Sequence, residues 1–544
     1  MTAVGLILAA YQILPRSRRL DLSLRFGTFA WALTGTTLTV VLYLQLFPIA
    51  VSFGLTPHLG LFRYGLSPER ASFVVAMLAS VILALHLWKR RLPPRAMQKF
   101  SDLVEELLWS RQYPSLIALL DTHLHRVVAI ADCRHLLGRL RPRDTVEIRL
   151  QPDEIDRLVL VAQEAGYVPI TPAPRFKRLA TSIRHLCKAA WLKATRWLPD
   201  PTGKSAIADS TLAYLLSNKS FAEGVILSRP YFALEILGLG RQEVHDFFQA
   251  YMARLFLEPT SCLYGELRRT HNVADHYRYV IPESNRLLSY LFSDARTAET
   301  LSAWAPIGEA MIEELDRLAR VPREDPYNRP ADREFLDRGR YELPLAAGLH
   351  YFDVMVTSAL YQGIEWHMWL YYFPYFSQRI ARNYMASDPL VDPDAEWPIR
   401  YSYLAYQIIS NLKGWITSIG NLAATSPHRR LKSISTEHEN DNIPKSSILA
   451  MGQCLWIFVN AEQIPDRFKT YLIDSVFDGY FRLREHCRRD DYASVLALAI
   501  RKGGPWQQKD GGRYRNHVRS AYEAFDKIPH SHTHVLEFEQ QLFE

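Results

Sequence analysis

Two long uncharged stretches, Phe26 to Leu55 and Ala71 to Trp88, constrain this chain more than any other feature. A helix that crosses the hydrocarbon core of a bilayer needs about 20 mostly apolar residues, and a run of about 18 without charge already qualifies. Both stretches meet that requirement. Pro48 lies near the far end of the first, so the expected helix runs from Phe26 to Phe47 and the remainder lies in the interface. The second ends at the basic cluster Lys89, Arg90 and Arg91.

Lysine and arginine close to a span are retained on the cytoplasmic side. Arg16, Arg18, Arg19 and Arg25 precede the first stretch, whereas Lys89, Arg90, Arg91, Arg95 and Lys99 follow the second. The connecting loop from Thr56 to Arg70 carries only Arg63 and Arg70. The expectation is a two-pass protein of the inner (plasma) membrane with both termini in the cytoplasm. A cleaved signal sequence would have an apolar region of about 7 to 15 residues, and this run is about twice as long. Met1 to Leu14 is apolar but too short to span.

Ala30, Thr34, Gly35, Thr36, Thr37 and Thr39 form a run of small side chains within the first stretch. Small residues let helix backbones approach closely, so Ala30, Thr34 and Thr37 are candidates for helix association. They serve either self-association of hairpins or packing on the chain's own second span.

For 544 residues, Gly 25 is a low count that favours helices over turn-rich β architecture. The five cysteines are odd in number and widely spaced, without C-x-x-C, so neither a zinc ribbon nor a disulfide framework is suggested. The expected fold is all-α: a transmembrane hairpin followed by a large cytoplasmic helical body. The spacing divides the chain into an N-terminal cytoplasmic segment (1–25), the hairpin (26–92), a helical-hairpin region (93–170), a helical domain (171–320), a charged linker or loop (321–345) and an aromatic-rich helical domain (346–544).

Apolar positions from Phe100 to Val128 recur at helical spacing around Tyr113-Pro114, which predicts two antiparallel helices. The run from Tyr113 to Leu119 is echoed from Tyr492 to Leu498. Such an echo fits stacked helical hairpins, and an ordinary bundle is equally open. Thr145 to Leu150 alternates like a short strand. Asp316 to Pro344 and Ser426 to Ser447 read as solvated loops.

Arg175, Lys177, Arg178, Arg184, Lys188, Lys193 and Arg196 occur without any acidic residue and opposite an apolar helical face. That is the pattern of a helix on an anionic membrane surface, with a packed surface helix as the ordinary alternative and nucleic-acid backbone contact less favoured. His350 to Tyr384 is crowded with aromatics and reads as a buried core helix rather than a third span, with Asp353, Glu365 and His367 candidates for a pocket floor. His530, His532 and His534 would face one side of a strand, but a polar turn before the last helix fits the flanks better. Gly503 to Arg515 is a glycine-rich basic loop without the spacing of a nucleotide-binding loop.

His245-Asp246, with His271 and Asp275 one helical turn apart, are weak candidates for a metal. No cofactor is expected. The net charge of +7 and pI ≈ 9.0 favour anionic partners only mildly. The leading expectation is a non-enzymatic membrane-anchored sensor, scaffold or effector whose partners are the lipid bilayer and a protein or a second copy. A membrane-tethered metal-dependent hydrolase of phosphorylated or lipid substrates is the alternative, and a nucleic-acid-binding anchored protein comes third.

Overall fold

A computed structural model describes residues 12–26, 28–53, 67–89, 92–132, 202–273, 278–366, 368–386, 391–392, 395–436, 441–503 and 512–543. These residues are almost entirely helical. The basic segment from Arg175 to Arg196 and the candidate strand from Thr145 to Leu150 lie outside them. Contacts divide the chain into two units, Met1–Arg229 and Pro230–Glu544, a boundary that falls inside the 171–320 segment of the sequence reading.

In the first unit, a basic helix α1 (Arg16–Arg25) leads into α2 (Thr28–Ser52), and α3 (Pro68–Lys89) packs back along α2. The expected stop before Pro48 is corrected: α2 runs through Pro48 to Ser52. A proline near a helix end removes one backbone donor, a loss that apolar spans tolerate when the surrounding ladder stays intact. Then come α4 (Met97–Trp109), α5 (Tyr113–Ala131), α6 (Thr202–Ser217) and α7 (Lys219–Ser228). The helices expected around Tyr113-Pro114 are α4 and α5. Pro114 stands in the first turn, where its missing N–H costs nothing. Helix α5 is the hub of this unit and touches α1, α4, α6 and α7.

The second unit opens with α8 (Phe232–Leu237), α9 (Val244–Leu257) and α10 (Cys262–Arg269). A two-stranded antiparallel sheet follows, β1 (His271–Val273) pairing with β2 (Arg278–Val280). The helical spacing assumed for His271 is thereby corrected. Helices α11 (Arg286–Phe292), α12 (Ala295–Thr300) and α13 (Ala305–Leu318) lead to residues 321–345. This stretch is made of short 3-10 turns and the short α14 (Arg333–Asp337), yet it is not freely solvated. Tyr327 and Phe335 are buried, and Tyr327 Oη accepts from the Leu345 amide at 2.9 Å.

The remaining helices are α15 (Pro344–Gln362), α16 (Tyr372–Asn383), α17 (Arg400–Thr417), α18 (Ile443–Asn460), α19 (Asp466–Glu485), α20 (Asp490–Lys502), α21 (Gly512–Ala524) and α22 (His532–Phe543). Each packs on the next but one: α15 on α17, α17 on α19, α19 on α21, and likewise α16, α18, α20 and α22. The result is two rows of alternate helices, with cross-contacts such as α17 to α18 and α19 to α20. Gly452 permits the close approach of α18 to α20, since a Cβ there would lie 2.7 Å from the Ala499 carbonyl oxygen. Helix α15 is a buried core helix, as its all-round apolar character predicts, and it ends where Gly363 adopts the left-handed conformation (φ 72°). The stretch from Ser426 to Ser447 is likewise held down, by the buried His428 and by Asn442, which caps α18 through the Lys445 amide.

Candidate functional site

The long apolar helices α2 and α3 are the feature that ordinary globular chemistry does not explain. Only 11% of the first apolar window and 6% of the second is buried inside the protein. Large apolar side chains point outward along both, among them Leu38, Leu42, Leu46 and Ile49 on α2 and Phe73, Leu78 and Leu85 on α3. Soluble proteins rarely leave apolar patches beyond a few hundred Å² in water. The covered positions of α2 recur three and four apart at Ala30, Leu33, Thr37, Val41, Leu44 and Phe47, which is the stripe a helix offers to a neighbour.

This places the three helix-association candidates differently. Ala30 is fully covered within its own chain and Thr37 is half-buried, so both belong to that stripe, while Thr34 faces outward. The hydroxyls are already used inside the helix: Thr34 donates to the Ala30 carbonyl at 2.7 Å and Thr37 to the Leu33 carbonyl at 2.6 Å. That pattern satisfies a threonine in an apolar setting without a partner helix.

Among the described residues, one face of α5 bonds the chain at both ends of the hairpin. His123 on α5, 2% exposed, bonds Asp21 of α1 at 2.7 Å, and Arg25 donates to the same carboxylate oxygen at 2.7 Å. An ionised carboxylate only accepts, so His123 Nε2 carries the proton in this contact. Burial alone would raise the Asp21 carboxyl, but the hydrogen bonds from His123 and Arg25 outweigh it and hold it below its usual value. The His123 ring also meets Phe100 of α4 edge-on at 6.2 Å. One turn along α5, Arg126 Nε donates to the Leu92 carbonyl at 3.5 Å, just past the second span. One face of α5 therefore grips the chain before the first span and after the second.

In the second unit, Asp353 is buried and accepts from Tyr279 Oη, from Trp415 Nε1 at 2.9 Å and from Thr357 Oγ1 at 3.4 Å. Burial pushes its carboxyl up. The expected pocket floor with Glu365 does not form, because Gly363 ends the helix and Glu365 emerges at the surface; His367 lies outside the described residues. Asp353 instead ties β2 to α15 and α17.

The three late histidines do not line a strand. His532 begins α22, whereas His530 and His534 converge on Glu485 of α19 at 3.2 and 3.4 Å. The His530 ring stacks on Phe481 at 3.9 Å. Beside them opens a cleft of about 510 Å³ lined by Arg484, Glu485, Arg488, Asp490, Ser531 and His534. Its charges are largely spent internally: Arg484 pairs with Asp490 and Glu537. The cleft reads as the joint that seats α22.

His245 and Asp246 stand in the first turn of α9, His271 on β1, and Asp275 lies outside the described residues. Among the described residues no group of three His, Cys, Asp or Glu side chains is placed to hold a metal ion. The buried Glu266 has a structural task, accepting from the amides of Leu287 and Leu288 at the start of α11. No family model matches the chain, and neither a curated protein nor a solved structure matches it.

Proposed function

We propose that this chain is a membrane-anchored helical protein, a sensor, scaffold or effector, whose hairpin holds a cytoplasmic body at the inner membrane. The observation that carries this reading is that two long apolar helices, α2 without any charge and α3 with its charges confined to its ends, leave most of their residues uncovered by the protein. In water each outward leucine or phenylalanine would forgo about 1.5 to 3 kcal/mol of burial; in lipid that cost disappears. Basic residues at both ends of the hairpin favour the cytoplasmic side for both termini.

The grip of α5 on both ends of the hairpin supports mechanical coupling between the spans and the rest of their unit. The two rows of alternate helices from α15 to α22 support a solenoid-like stack, which would offer an extended surface for a protein partner. On this reading partner binding biases the hairpin, either its tilt or its association with a second copy through the outward side that bears Thr34.

Full-length protein should remain with membranes after alkaline carbonate extraction, and release into the aqueous phase would refute the anchor. A Thr34→Cys variant, free of other cysteines, should give disulfide dimers in oxidised membranes if hairpins associate on that side. Monomer alone at every expression level would remove the association half of the reading.

A further inference from the structure

We propose that the base of the hairpin is a binding surface for anionic phospholipid headgroups, built from the outward face of α1 and the start of α4. This deepens the membrane reading and rests on it. The contacts of His123 with Asp21 and of Arg126 with Leu92, three residues apart on α5, bring the entry to the first span and the exit from the second to one helix face. Charges that lie far apart in sequence are thereby gathered at one end of the hairpin.

Helix α1 carries four arginines and a single acid. That acid, Asp21, is turned inward and engaged by His123 and Arg25, so the exposed face keeps its positive charge uncompensated. Arg16 and Arg18 are exposed and make no ion pair among the described residues. Arg19 is half-buried, its Nε shielded yet without a hydrogen-bond partner. On the exit side Arg95 and Lys99 are exposed as well. The nearest carboxylate on α4 is Asp102, held by Gln98 Nε2 at 2.9 Å. Five basic groups thus stand against one acid at the level where a bilayer presents its phosphates.

Two apolar markers set that level. Trp31, 68% exposed, is on the first turn of α2, where amphipathic aromatics sit at the membrane–water boundary, and Ile13, 83% exposed, precedes α1. Phosphate monoanions of lipids fit this surface better than free phosphate does, because the spans already hold the collar at the headgroup plane and the attraction acts within a Debye length.

The test uses full-length protein in phosphatidylcholine vesicles containing a minor fraction of phosphatidylglycerol, with bromine on the acyl chains of one lipid or the other. Tryptophan quenching near Trp31 then reports which headgroup is enriched around the hairpin. The expected result is stronger quenching by the brominated anionic lipid, fading as salt rises. In the variant Arg16→Gln, Arg18→Gln, Arg95→Gln, Lys99→Gln the preference should drop by roughly three-fold or more per charge removed. These side chains are exposed, and an unchanged far-UV spectrum will verify that the variant is folded. Equal quenching by the two lipids, or a preference that survives in the variant, overturns the proposal alone. Quenching by neither overturns the membrane reading and this proposal with it.

Discussion

Replacing Asp21 by asparagine removes the charge that His123 and Arg25 share while leaving an oxygen for them to bond. Hydrogen bonds to a charged group are worth about 1.5 to 3 kcal/mol, so Asp21→Asn should loosen α1 from α5 by that order. Amide hydrogen exchange over residues 16–25 measures this directly, and unchanged protection would mean that Leu24 and its neighbours hold α1 by packing alone. The folded carboxyl lies below its ordinary value, so its contribution is complete above that value and is lost as pH falls beneath about 4. The wild type should show that acid step and the variant should not. His350 titrates elsewhere: burial pushes its imidazole, and that of His428, down to about 4. The unfolded chain then binds more protons between about pH 6.5 and 4, and stability falls with acidification across that window, by about 1.4 kcal/mol per pH unit per histidine. Asp474, pushed up to about 6 by burial, works in the opposite sense. The difference between wild type and His350→Gln isolates the histidine: denaturant midpoints at pH 6.5 and 5 should diverge in the wild type and draw together in the variant.

Two glycines separate backbone contact from side-chain contact. A Cβ at Gly452 would meet the Ala499 carbonyl of α20 at 2.7 Å, and backbone cannot step aside, so Gly452→Ala should cost about 1 to 3 kcal/mol. At Gly348 the obstacle is the thioether of Met311, which has rotamers to spare, and Gly348→Ala should cost less. Equal thermal shifts for the two variants would contradict this view of helix packing. In the spans, Leu42→Arg places a charge on an outward, mid-helix position and should reduce the carbonate-resistant fraction steeply, since central arginine opposes insertion by about 2.5 to 3.5 kcal/mol. The elements that sequence made legible are those whose local signals agree: α4 and α5 show helical spacing, with Pro114 in the first turn of α5, and α2 is uncharged throughout while α3 is uncharged from Ala71 to Trp88. Where signals conflicted, the reading missed. Pro48 looked like a stop, although one further turn, Ile49 to Ser52, continues beyond it. The strands β1 and β2 are three residues each, too short to alternate visibly. Residues 321–345 read as solvated because charge dominated the count, while Tyr327 and Phe335, two of the aromatics inside that run, were the signal of anchoring. His123 and Asp21, 102 residues apart, and His530 with Glu485, 45 apart, meet only through tertiary packing.

At the scale of the whole molecule, the division at Arg229 and Pro230 separates two different solvation problems. Among the described residues, the contiguous exposed apolar surface lies on α2 and α3 of the first unit, whereas exposed apolar residues of the second unit, such as Leu257, Tyr375, Ile434 and Ile528, are scattered. Scattered exposure is normal for a soluble surface, and contiguous exposure along two helices is not. In the two rows of helices from α15 to α22, contacts join neighbouring and next-but-one helices, so stability is carried locally along the stack. Residues 230–544 expressed without the first 229 should therefore stay in the aqueous fraction after ultracentrifugation and unfold cooperatively, while a fragment of residues 1–229 should pellet with membranes. The late helix α22 makes the prediction sharper. It is seated through His530, His534 and Arg484, all within the second unit, so removing the hairpin should leave its amides as protected from exchange as in the full chain. If residues 230–544 aggregate or lose protection in α22, the second unit draws its stability from the first, and the membrane hairpin is part of the folding core rather than an anchor attached to it.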